Sequence, residues 1–209
     1  VTRSDSAISK SSVERRLMKQ MIPLNDLGRQ HAAIGRPLLG AIEQVLASGR
    51  FIGSARVLSF ETAFAEYCGT SHCIGVANGT DALELALRAV GVVHGDRVVT
   101  VANAGGYAST AICAIGAIPI YVDVEPRTLL VDVQRLDELP EAERLGAIVA
   151  THLYGRMADM GAILRWARSR GIPVVEDCAQ AHGAKRDGKR AGAHGTIGCF
   201  SFYPTKNLG

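Results

Sequence analysis

With 209 residues, 47% of them apolar and 21% charged, the chain can bury one large core and has the balance of an ordinary globular domain. Its net charge of +3 is dispersed apart from Lys185-Arg186 and Lys189-Arg190, which argues against nucleic acid, a partner that needs a clustered basic face. No apolar run approaches the ~20 residues of a membrane span, and Val1-Thr2-Arg3-Ser4-Asp5 lacks the basic-then-apolar layout of a secretory signal, so a chain neither membrane-bound nor exported is expected.

Residues 1–20 are polar and Ser-rich and read as a loosely ordered extension, with 21–209 as the folded part. Ile34, Leu38, Ile42, Val45 and Leu46 recur at helical spacing, predicting a helix over 30–48 stopped by Gly49. A second helix is expected over 58–67. Short apolar runs then alternate with helical stretches. Residues 73–77, 97–101, 118–123, 147–151 and 172–176 read as strands, with helices near 82–90, 109–116 and 160–170. Strands that are continuously apolar imply a mostly parallel sheet covered on both faces, a three-layer α/β/α domain. Cys68, Cys73, Cys113, Cys178 and Cys199 form no C-x-x-C pair and sit mainly among small apolar residues, which suits buried, reduced thiols in a cytoplasmic compartment.

In such a sheet ligands bind beyond the carboxyl ends of the strands. Gly79-Thr80 opens a helix there, where backbone N–H groups and the helix dipole favour an anion; an ordinary turn with an N-cap accounts for the same residues. Asp177 ends an apolar strand, placed either to cap the next turn or to face a cationic ligand atom. Tyr107 can stack on a flat ring or pack in the core. Lys206 follows the apolar and aromatic Phe200-Ser201-Phe202-Tyr203, a setting able to desolvate it and make it a nucleophile toward carbonyls. Two other patterns fail on their own requirements. Gly183 to Arg190 nearly matches a nucleotide phosphate loop, but Arg190 replaces the Ser or Thr that would hold magnesium, and a poor helix start follows. His182, His194, Cys178 and Cys199 match no zinc spacing and read as loop histidines and core thiols.

Together, Gly79-Thr80-Asp81-Ala82-Leu83, Tyr107, Val175-Glu176-Asp177-Cys178-Ala179-Gln180-Ala181-His182-Gly183 and Phe200-Ser201-Phe202-Tyr203-Pro204-Thr205-Lys206-Asn207-Leu208 resemble the DegT/DnrJ/StrS sugar aminotransferases. The resemblance runs from about Ile22 to the last residue. It implies the pyridoxal-phosphate transferase fold of type I, with 21–209 as the N-terminal part of the cofactor-binding large domain and the C-terminal small domain missing from these residues. It also implies roles. Lys206 would form the Schiff base with pyridoxal 5'-phosphate, and Asp177 would pair with the pyridine nitrogen. Gln180 would lie near the ring's phenolic oxygen and Tyr107 over a ring face, while Gly79, Thr80 and Ser201 would hold the phosphate. The reaction expected is transamination of a nucleotide-linked keto sugar, with glutamate as amino donor, by a homodimer in amino-deoxysugar biosynthesis. Family dehydratases carry histidine where this chain has Lys206, which favours transamination over a sugar dehydratase. A non-catalytic relative is the third alternative.

Overall fold

The computed structural model describes residues 22–23, 25–140 and 144–209; the expected extension over 1–20 lies outside the described residues. The chain divides into two units, 1–44 and 45–209. Of the first, the described structure is almost wholly helix α1 (Leu27–Ser48), whose last residues enter the second unit. It continues through Pro37, whose missing N–H removes one helical bond.

The second unit starts with α2 (Ala55–Cys68) and α3 (Gly79–Ala89). There follow β1 (Arg97–Thr100), α4 (Tyr107–Ala114), β2 (Ile118–Tyr121), the short α5 (Val133–Leu136) and β3 (Leu145–Thr151). The chain continues with α6 (Met160–Ser169), β4 (Val174–Asp177), the two-residue strands β5 (Lys185–Arg186) and β6 (Lys189–Arg190), and β7 (Ile197–Cys199). The main sheet has five strands in the order β2-β1-β3-β4-β7, all parallel. From β1 the chain moves outward to β2 and then returns to β3 on β1's other side. The order therefore reverses between β1 and β3, which is where an open α/β sheet leaves a crevice for ligand.

The strand pleat divides the core into two clusters and proves both faces covered. Val98, Ala147, Val149, Val175 and Cys199 point to one face, where they meet Leu83, Ala86 and Leu87 of α3 and Ala108, Ala111 and Ile112 of α4. Val99, Ile148, Ala150 and Val174 point to the other, against Met160, Ile163, Trp166 and Ala167 of α6. Alternation of side chains along a strand forces this split. Each buried Leu, Ile or Val contributes about 1.5–3 kcal/mol.

The expected strand over 73–77 joins no ladder among the described residues. Its apolar residues satisfy the strand pattern, but a strand also needs a neighbour to take its backbone bonds. Here the Gly75 amide donates instead to Glu61 Oε1 of α2 at 2.6 Å. Two elements went unforeseen: α5 and the β5–β6 hairpin, each too short to carry a periodic signal. The hairpin occupies the near-match to a phosphate loop. It turns through Asp187 and Gly188, both at positive φ, the favoured chemistry for a two-residue connection. The five cysteines are free; Cys113 is exposed, against the expectation of burial, while Cys68, Cys178 and Cys199 are buried. Among the described residues no helix is long and apolar enough to cross a membrane.

Candidate functional site

The C-terminal edge of the parallel sheet gathers most of the singled-out residues. Asn78 caps α3, its Oδ1 accepting from the amides of Thr80 at 2.9 Å and Asp81 at 3.0 Å. The capping alternative for this motif is thus realised, and an anion here would draw on the remaining first-turn groups, the Gly79 amide and the Thr80 hydroxyl. The α3 terminus is also pressed onto the segment after β7. A Cβ on Gly79 would stand 2.9 Å from Ser201 Cβ and 3.4 Å from the Phe200 carbonyl oxygen, so glycine is needed for this approach. The Cys199 thiol donates to the Ala82 carbonyl at 3.4 Å. Burial pushes that thiol up to about 12, so it remains protonated and able to donate. Gly79, Thr80 and Ser201 therefore form one corner.

Asp177 ends β4 on the face occupied by α3 and α4, and is 6% exposed. Burial raises its carboxyl above the ordinary aspartate range. The Ala179 amide, donating to Oδ1 at 3.2 Å, offsets this in part, with smaller help from Lys206. One hydrogen bond is little for a buried carboxylate, and a cation in direct contact is what such a group lacks. Gln180 turns back toward β3: its Oε1 accepts from the Tyr154 amide at 3.2 Å and its carbonyl from the Gly155 amide at 2.9 Å. This places Gln180 in a cavity of about 260 Å³ lined with Tyr154, Gly155, Thr205, Lys206 and Asn207. Lys206 is half-buried in this cavity, not enclosed. The aromatic run expected to desolvate it leaves Tyr203 65% exposed, because only Phe200 and Phe202 turn inward onto Phe64. Tyr107, at the start of α4, stands apart; its ring folds back over Gly105 and is 60% exposed.

Behind Asp177, on the opposite face, lies a pair that sequence reasoning passed over. Glu176 and His152 are fully buried, with Glu176 Oε2 2.9 Å from His152 Nε2. The Ala158 amide donates to His152 Nδ1 at 3.2 Å, so the ring proton sits on Nε2 and is given to Glu176. Burial pushes the Glu176 carboxyl up, but the His152 bond and the amides of Gly195 and Gly192 outweigh it and hold the group below 4.5. A signal existed: a charged residue near the end of an apolar strand needs a buried partner, and His152 directly follows the neighbouring strand. Cys178 lies with this pair, the three ligand-type heads being within 4.8 Å of one another, but the pair is already committed to each other and to backbone amides. His182 lies in a turn, as expected, and packs between Phe200 and Phe202 at 5.4 Å from each ring centroid.

Residues 33–209 match the model of the DegT/DnrJ/EryC1/StrS aminotransferase family. The chain is 49% identical over 172 residues to the dTDP-3-amino-3,4,6-trideoxy-alpha-D-glucose transaminase of Micromonospora megalomicea subsp. nigra, an alignment covering 82% of this chain and 46% of that protein. It is 41% identical to a pleiotropic regulatory protein of Geobacillus stearothermophilus, over 90% of this chain and 50% of that one. Among solved structures, S. venezuelae DesV in complex with a ketimine intermediate superposes with a TM-score of 0.86 at 39% identity, covering 90% of this chain and 50% of DesV. The chain thus spans about half the length of the curated relatives it matches. A parallel five-stranded sheet of this order and a match over 33–209 agree on one conclusion: the chain belongs to the DegT/DnrJ/EryC1/StrS aminotransferase family.

Proposed function

We propose that this chain is the cofactor-bearing part of a pyridoxal-phosphate-dependent aminotransferase that acts on a nucleotide-linked keto sugar. Glutamate is the amino donor in this reading, and the protein works as a homodimer in the cytoplasm. The observation that carries it is Asp177, a buried carboxylate short of partners at the same strand edge as Lys206. When bound, pyridoxal phosphate supplies an electron sink that acidifies the donor's α carbon. Asp177 would keep a proton on the ring nitrogen, which would relieve its own buried charge. Gly79, Thr80 and Ser201 would hold the phosphate, Gln180 the phenolic edge, and Tyr107 a ring face. Lys206 Nζ would anchor the group and carry the proton at the donor's α carbon.

Mixing the intact protein with pyridoxal phosphate should give a saturable visible absorbance band, bleached by glutamate and restored by the keto sugar. A specific observation favours one other reading: the similarity to a pleiotropic regulatory protein suits a relative that binds without turnover. That relative would show the band but no bleaching, and a colourless mixture would sink both readings.

The phosphate corner gives a separate expectation. Thr80→Val with Ser201→Ala removes two hydroxyls and leaves the Asn78 cap intact. Hydrogen bonds to a charged group contribute roughly 1.5–3 kcal/mol each, so losing both should lower cofactor affinity by about two to four orders of magnitude. An unchanged dissociation constant would remove these residues from the site.

A further inference from the structure

Thr151 is the last residue of β3. The residue is 6% exposed, yet among the described residues its Oγ1 has no hydrogen-bond partner. Buried hydroxyls nearly always have one, because leaving water without a replacement bond is costly. The direction of the side chain follows from the pleat. Ala147 and Val149, two and four residues earlier, belong to the cluster under α3 and α4, so Thr151 points to that face. It faces the same way as Asp177, with which it is paired in register across β3 and β4. It also borders the crevice where the strand order reverses between β1 and β3.

We propose that Thr151 is a cofactor-binding residue whose hydroxyl is held for the polar edge of the ring that lies against Asp177. The inference rests on the pyridoxal-phosphate reading above. Thr100 supplies an internal contrast. Its hydroxyl is also buried and, among the described residues, unpartnered on the same face, and it too ends its strand; but it follows the Val99–Ile148 pair and so lies beside Val149, two residues short of Thr151 in register. The ligand edge of the sheet is nearer Thr151.

The test is cofactor titration followed by absorbance, together with thermal melting without cofactor, on the parent protein, Thr151→Val, Thr151→Ser and Thr100→Val. Valine keeps the shape and removes the orphaned hydroxyl. Thr151→Val should therefore melt at or above the parent temperature without cofactor, yet bind pyridoxal phosphate about three- to tenfold more weakly, the worth of one neutral hydrogen bond. Thr151→Ser should return affinity to within about twofold, and Thr100→Val should match the parent. A merely structural threonine would lower the melting temperature and leave affinity alone. That result, or parent affinity in a folded Thr151→Val, or equal losses at Thr100 and Thr151, overturns the proposal. A parent protein with no saturable binding overturns the pyridoxal-phosphate reading itself, so the two failures are told apart.

Discussion

Lys206→Ala should abolish transamination while the protein still folds and still binds pyridoxal phosphate. The lysine is half-buried at the cavity edge, its amide bonded to the Tyr203 carbonyl at 2.8 Å, and no packed core depends on its side chain. Stability should therefore move by no more than about 0.5 kcal/mol. Activity should fall at least 10²- to 10⁴-fold, the usual worth of a positioned proton carrier, and further because the covalent anchor goes with it. Lys206→Arg is the sharper control. It preserves a positive charge near Asp177 but remains protonated at every working pH, so it should be as inactive as the alanine variant. Borohydride reduction and peptide mapping of the parent should place the cofactor on Lys206. The other described lysines, Lys185 and Lys189, lie exposed on the β5–β6 hairpin. A label on either, or normal turnover by Lys206→Ala, would displace Lys206 from the centre of the site.

The sequence made the sheet legible because burial on both faces leaves uninterrupted apolar runs. Residues 97–101, 118–123, 147–151 and 172–176 all overlap strands, displaced by at most two residues at each end. The same criterion misplaced 73–77, since an apolar run reports burial preference and says nothing of whether a partner strand lies alongside. Candidate site residues were readable where a strand ends on a residue out of character with it, as at Asp177, and where glycine opens a helix, as at Gly79. Glu176, although it stands inside a quoted motif, and His152 were passed over because their meaning depends on a contact 24 positions apart in the chain. Thr151 was invisible for a different reason. A threonine is ordinary in a strand, and only the missing partner of its hydroxyl sets it apart.

Glu176→Gln, although nearly isosteric, should be among the most destabilising single substitutions in the described chain. Each carboxylate oxygen takes two donors. Oε1 accepts from the amides of His194 at 2.8 Å and Gly195 at 2.6 Å, and Oε2 from the Gly192 amide at 3.0 Å and His152 Nε2 at 2.9 Å. A carboxamide has one acceptor oxygen, so its NH₂ must face two N–H groups in either orientation. Turned toward Oε1's place it meets two backbone amides. Turned the other way it meets the Gly192 amide, and His152 can become an acceptor at Nε2 only by moving its proton to Nδ1, against the Ala158 amide. Two or more buried donors are left unsatisfied at about 1–3 kcal/mol each, so the loss should reach roughly 3–5 kcal/mol at neutral pH. The pH dependence identifies the cause. Because the folded carboxyl titrates below its unfolded value of 4.5, the charged form's stabilisation is fully present above that value and is lost as pH falls through the folded value. Denaturant unfolding of the two proteins should show a constant gap from neutral pH down to about pH 5, closing in stronger acid. A gap below 1 kcal/mol at pH 7, or one that does not narrow in acid, would mean that the segment Gly192 to Gly195, which leads into β7 and on to Ser201 and Lys206, is held in place by something other than the Glu176 anion.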